Sequence, residues 1–440
     1  MNTLIKYFIG ISLVALLGGV LFGCFSAFQF LYPAFFSSVP FFKTRPLHVS
    51  SVVGWIFLAS AGSIYYFIGQ ENKTSSFSVS LTRLHLFMFI SGGFIILISY
   101  LFGYFGGREY WEFNPIFSLM ILCTWLFFLL NFFHAIKGSD RPWPVYYWMW
   151  CTGVVFFMIT FIEANLWMVP YFGDHIIRDL TVQWKAYGAL VGSWNMLVYG
   201  IAIYLLTKIK NDPSIAKSKL AFAMYFLGFF NLLFGWAHHI YVVPCPKYIR
   251  VISYAVSMTE LLILFKLIWS ARPTIQEGRN QKNNLVYNFL FSSDIWVLLN
   301  LFLALLISIP AINVYTHGTH ITVAHAMGST IGINTFILLA SVCYITLKNQ
   351  VPENPLRVSA IKKGVRGLNI SLGVFWVCLI GAGVKKGMHT GDPSVLHQAI
   401  LEEISPFLLG FALAGTGILA SLLAISLPLL RSLLKQLRHG

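Results

Sequence analysis

The chain has 440 residues, 57% hydrophobic and 10% charged, with a formal charge of +15 and a mean hydropathy of +0.74. A soluble domain carries roughly 25% charged residues, so this composition excludes a soluble core and points to an integral membrane protein. The positive charge does not signal nucleic acid, because Lys and Arg sit in short loops between apolar runs and no basic domain stands apart.

A helix needs roughly 20 apolar residues to cross a bilayer. The sequence predicts about twelve such spans: 4–36, 47–69, 82–105, 114–136, 143–168, 185–208, 218–243, 248–270, 291–313, 319–347, 366–385 and 397–430. The first run is too long for the core of a signal peptide. The loops are short, as at Lys210-Asn211-Asp212-Pro213, and no repeat or second domain interrupts the pattern. The expectation is an all-α transmembrane bundle forming a single domain over 1–440. Loops on the N-terminal side carry more cations (Lys137, Lys208, Lys210, Arg279, Lys362, Lys363) than the opposite loops, which predicts that both termini are cytoplasmic.

Cysteine chemistry contributes little. Cys24, Cys123, Cys151, Cys245, Cys343 and Cys378 are scattered, with neither a CxxCH nor a paired-thiol copper motif. They read as small apolar residues in helices.

The informative residues are ionisable or ligating groups within the spans, where such groups are costly and usually functional. In chain order, His48 opens the second span. Asn195 and Tyr199 lie in the outer half of the sixth. Gly235-Trp236-Ala237-His238-His239 closes the seventh with paired imidazoles. Gly318-Thr319-His320-Ile321-Thr322-Val323-Ala324-His325-Ala326-Met327 opens the tenth. The predicted topology brings these segments to one membrane depth. Two residues on a helix are about 200° apart, so His325 and Met327 point to opposite faces and could serve two different hemes.

In these motifs the chain resembles the catalytic subunit of the heme-copper oxidase superfamily. The nearest branch looks like the large subunit of cytochrome-c-type nitric oxide reductase. The resemblance implies the following roles. His325 is the axial ligand of a high-spin heme. His238 and His239 are ligands of a nearby non-heme metal, iron or copper. His48 is a ligand of a low-spin heme. Glu260 is an acidic group near the active site, and His317 and His320 neutralise heme propionates. Both hemes are read as b-type.

Three positions depart from the family. Met327 stands where the family has the second low-spin ligand; a His48/Met327 pair remains chemically sound, since Met/His ligation occurs in c-type cytochromes and raises the potential. The third metal-ligating histidine falls on Asn195, whose amide oxygen is a poor ligand for iron or copper, so the metal is expected to be weakly held, a different ion, or absent. The reductase glutamate one turn on becomes Tyr199, a residue found at that position in many oxygen-reducing members.

The leading expectation is reduction of nitric oxide to nitrous oxide. The alternatives are oxygen reduction, nitric oxide dismutation and a non-enzymatic gas-binding heme protein. The expected donor is a membrane-anchored cytochrome c subunit, since no electron-input motif appears. The expected location is a bacterial inner membrane.

Overall fold

The computed structural model describes residues 2–71, 77–137, 142–259, 261–262, 285–347, 355–390 and 394–438. Regular structure among them is helical, apart from one isolated bridge between Arg108 and Trp111. Eleven of the described helices are long and apolar enough to cross a membrane. The eighth predicted span is described only as the helix Lys247–Met258; Glu260 lies outside the described residues.

The chain divides into two compact units, each discontinuous in sequence. One comprises Met1–Asp140, Leu338–Gly381 and Leu401–Gly440; the other comprises Arg141–Ile337 and Ala382–Ile400.

In the first unit, helices Asn2–Leu31 and Phe41–Glu71 form an antiparallel pair. In lipid, helices associate by close packing rather than by hydrophobic exclusion, so small residues mark the contacts. A Cβ on Gly19 would lie 2.8 Å from Val52, and one on Gly62 would lie 2.9 Å from Phe8. The connection between these helices is tied by Gln29, which donates to the carbonyls of Phe35 and Val39 at 3.0 and 2.8 Å and accepts from Thr44 Oγ1 at 2.7 Å. The second helix therefore starts at Phe41, six residues before the predicted 47, and His48 sits well inside it rather than opening it.

Arg45, one turn before His48, pairs with Glu109 at 2.8 Å and Glu112 at 2.6 Å in the loop after Val79–Leu101. Burial pushes the Glu112 carboxyl up, against the opposing pull of Arg45. His85 is buried against Phe8 and Phe128, with its Nδ1 2.9 Å from the Tyr65 hydroxyl. That is a satisfied structural imidazole.

In the second unit, helix Val145–Glu163 packs on helix Ile176–Lys210. A Cβ on Gly153 would lie 2.6 Å from Leu197, and Trp150 Nε1 donates to the Leu197 carbonyl at 3.2 Å. Glu163 forms an ion pair with Lys185. The predicted span 291–313 is interrupted: helix Leu285–Ile307 ends, and Pro310 starts a short helix Pro310–Thr316. Proline at a first helical position suits such a restart, because its missing N–H would be unbonded there anyway.

Candidate functional site

In the second unit, three segments carry the residues that the sequence singled out as candidate ligands. The first is the 3₁₀ turn Gly235–Ile240, which follows helix Lys219–Phe234. The His238 and His239 ring centroids stand 4.1 Å apart. The turn is held from both sides. Ser253 Oγ donates to the Gly235 carbonyl at 2.9 Å. Asn313 Nδ2 donates to the His238 carbonyl at 3.1 Å and the Ile307 carbonyl at 2.8 Å. The His239 ring stacks on Trp184 of helix Ile176–Lys210, with centroids 5.2 Å apart and planes at 15°.

The second segment is helix His320–Met327, with Thr319 as its N-cap. Gly318 adopts φ +70°, a left-handed value that favours glycine, and this turn lies between His317 and His320. Lys386 donates to the Gly318 carbonyl at 3.1 Å. Burial holds His317 below the usual imidazole range, so it stays neutral near pH 7. His325 lies close enough to His238 and His239 for a charge on one ring to be felt by the others.

The third segment continues the same helix as a π-helical stretch, Gly328–Thr335. Its two glycines admit neighbours from helix Leu285–Ile307: a Cβ on Gly328 would lie 2.4 Å from Asn300 Oδ1, and one on Gly332 would lie 2.6 Å from Trp296. Thr335 Oγ1 bonds the carbonyl of Thr330, five residues back, at 2.8 Å. Asn334, fully buried here, donates from Nδ2 to Asn195 Oδ1 at 3.0 Å.

The imidazoles fit iron. His238, His320 and His325 each carry a buried Nδ1 that makes no well-formed hydrogen bond, with the Gly235 backbone beside the His238 ring and the Asn300 backbone beside the His325 ring. A neutral imidazole keeps one ring nitrogen with a lone pair that a metal can take. In the first unit, His48 Nδ1 lies 2.7 Å from the Gly19 carbonyl. Donation to a backbone carbonyl fixes the tautomer and leaves Nε2 as the ligating atom, a common arrangement for metal-bound histidine.

The donor set at the non-heme position is different. Among the described residues, no group of three His, Cys, Asp or Glu side chains could hold a metal ion. Asn195, the expected third corner, has its oxygen engaged by Asn334. Tyr199 is half-buried one turn beyond Asn195 on the same helix. Met327 is half-buried in the second unit, and His48 belongs to the first.

Sequence reasoning missed several supporting residues. Asn313 and Ser253, which hold the histidine turn, carry no motif. Trp184 reads as an interfacial aromatic and Lys386 as a loop cation. Gly23 is missed for the same reason, yet a Cβ there would lie 2.7 Å from His48 Nδ1 and 2.9 Å from its Cε1. Gly23→Ala is therefore expected to displace the His48 ring, break its bond to Gly19 and weaken ligation there by about 10–100-fold. Gly18→Ala, with nothing within 4 Å of the new atom, should leave the protein unchanged. Reduced-minus-oxidised heme spectra of the two variants make the comparison.

Residues 3–418 match the family described as Cytochrome C and Quinol oxidase polypeptide I. One subunit of nitric oxide reductase from Stutzerimonas stutzeri is 22% identical over 364 residues, covering 77% of this chain and 73% of that protein. Cytochrome c oxidase subunit 1 of Rhodobacter capsulatus is 23% identical over 351 residues, covering 74% of this chain and 65% of that one. A heme-copper terminal oxidase solved as a dimer by cryo-electron microscopy shares the fold, with a TM-score of 0.73 at 14% identity over 98% of this chain and 84% of that one. Eleven apolar helices, clustered imidazoles and a match over nearly the whole sequence lead to one conclusion: the chain is a multi-pass membrane oxidoreductase belonging to the heme-copper oxidase subunit I family.

Proposed function

We propose that the protein reduces nitric oxide to nitrous oxide, acting as one functional domain over residues 1–440. The overall reaction joins two nitric oxide molecules with two electrons and two protons, giving nitrous oxide and water. The observation that carries this reading is that His325 and the His238–His239 pair lie in one unit, near enough for a charge on one ring to be felt by the others. Similarity to part of a nitric oxide reductase adds support.

When bound, two hemes, proposed as b-type, supply electron storage and an open iron position for a diatomic gas. The chain's own residues do the rest. His325 would hold one heme from helix His320–Met327, and His48 and Met327 are proposed as residues that would hold the other. His317 and His320, with Lys386 beside them, form a polar rim suited to propionates. His238 and His239, held by Asn313, Ser253 and Trp184, present a rigid polar wall. Tyr199 is the proposed proton donor, because a phenol can release a proton and be resupplied through hydrogen bonds. A membrane-anchored cytochrome c subunit is the proposed electron donor. The proposed setting is a bacterial inner membrane with both termini cytoplasmic.

Tyr199 also favours a second reading, oxygen reduction, through its position one turn beyond Asn195. Isotope-labelled nitric oxide, supplied anaerobically with and without reductant and followed by mass spectrometry, separates the readings. Nitrous oxide appearing only with reductant is the expected result. Nitrogen and oxygen without reductant would make the protein a dismutase. No nitrogen product, with oxygen consumed on aeration, would make it an oxygen reductase. Gas binding without any turnover would leave a carrier or sensor.

A further inference from the structure

The helix that carries His325 changes its winding immediately after Met327. An α-helix turns roughly 100° per residue, and i→i+5 bonding unwinds this to roughly 80°. Asn334 lies nine residues beyond His325, six of those steps within the π-helical stretch. Continued α-winding would place it roughly 180° from His325, on the side of Met327. With the π-helical stretch it falls roughly 60° from His325 instead. The altered register thus carries a buried carboxamide to the His325 side of the helix, where it meets Asn195.

We propose that the Asn334–Asn195 carboxamide pair closes the third corner of the non-heme metal position, so that this protein holds no tightly bound metal there and offers a hydrogen-bond donor instead. The inference rests on the functional reading only in taking His238, His239 and Asn195 as the metal position.

The chemistry follows from which atoms are used. A carboxamide can ligate a metal only through its oxygen. Asn195 Oδ1 accepts from Asn334 Nδ2 at 3.0 Å, so its nearest electrophile is already an N–H. Rotating the Asn195 amide to free that oxygen would set two N–H groups against each other, unless Asn334 rotated as well. Rotating both would strand the Asn334 N–H in a fully buried position. As it stands, the stranded atom is Asn334 Oδ1, and an orphaned acceptor is tolerated better than an orphaned donor. The observed arrangement is therefore the favoured one: it engages one of the two Asn195 Oδ1 lone pairs, weakening an already poor metal ligand, and leaves the Asn195 NH₂ as a donor available to a ligand. Two adjacent imidazoles remain, fewer than the three protein ligands that usually hold a catalytic metal. Among the described residues nothing of the His, Cys, Asp or Glu type completes the set.

Local packing supports the π-helical stretch. Gly328 and Gly332 seat it on Asn300 and Trp296, and the Thr335–Thr330 bond matches its five-residue period. Such stretches are uncommon and concentrate at functional sites.

The test counts metal in the purified full-length protein. After dialysis against a chelator, and again after exposure to ferrous iron, cuprous copper or zinc and desalting, total metal per polypeptide is measured by mass spectrometry. Heme iron is measured separately and subtracted. The wild-type chain is expected to retain well under one non-heme metal per polypeptide in every case. Asn195→His and the conservative Asn195→Asp, each supplying a true ligand, are expected to raise retention toward one. Wild-type protein that retains one non-heme metal would overturn the proposal. So would metal that stays low in both variants while their heme spectra match wild type, since the pair would not then be the cause. Heme content in the same samples reports on the functional reading independently. Absence of heme would sink that reading, while the metal count per polypeptide would still decide this one.

Discussion

His325→Ala is expected to remove one of the two proposed hemes from the purified chain and to lower the proposed gas turnover by at least about 10³-fold, equivalent to about 4 kcal/mol of transition-state stabilisation. The reason is positional. His325 is the imidazole of its helix whose charge would be felt at the paired histidines, and the Asn300 backbone lies beside its ring. A methyl group cannot ligate iron, and Gly328 with Asn300 packed against it leaves little freedom for the helix to shift another ligand into place. Pyridine hemochrome content per polypeptide, with turnover in the same preparation, checks this. His85→Ala makes the contrast. Its imidazole is already bonded to Tyr65 and enclosed by aromatic rings. That variant should keep both hemes and lose only roughly 1–3 kcal/mol of stability. Full heme content in His325→Ala would remove His325 from the ligand set.

Met327→His is expected to retain a six-coordinate low-spin heme but to lower its midpoint potential by on the order of 100 mV, a fraction of the roughly 0.8 V that axial ligands command. A thioether is a weak electron donor and favours the reduced iron; an imidazole donates more strongly and favours the oxidised form. Met327→Leu, with no ligating atom, should leave that heme five-coordinate. Redox titration and the near-infrared charge-transfer band of Met-ligated ferric heme distinguish the variants. A potential unchanged in Met327→His, together with an unchanged low-spin spectrum in Met327→Leu, would mean that Met327 only packs. Either result also bears on electron flow, because a higher-potential relay heme takes electrons more readily from a donor and passes them on with less driving force.

The metal position bears on the reaction as well. Two hemes and a donor amide would make nitric oxide coupling depend on hydrogen bonding at the Asn195 corner. The gas assay and the metal count therefore belong on the same preparation.

Composition alone determined that this chain lives in a membrane. With 57% hydrophobic and 10% charged residues, no soluble core is available, and runs of roughly 20 apolar residues leave helices as the outcome. The paired imidazoles and the His325-to-Met327 spacing were legible for the same reason: an ionisable or ligating group in lipid is rare enough to be informative. Element ends were less legible. Helix Ile176–Lys210 begins nine residues before the predicted 185, because Arg178, Asp179 and Lys185 interrupt the apolar pattern without interrupting the backbone. Tertiary structure alone decided the register of the site. Asn334 is visible as a polar residue in an apolar span, yet a regular α-helix would place it on the wrong face. The π-helical stretch that redirects it depends on glycines meeting Asn300 and Trp296 of another helix, and periodicity within one segment carries no information about the neighbour against which that segment packs. The same limit hid Asn313, Ser253 and Trp184: their function lies in which backbone or ring they touch, and only the folded chain brings those partners into reach.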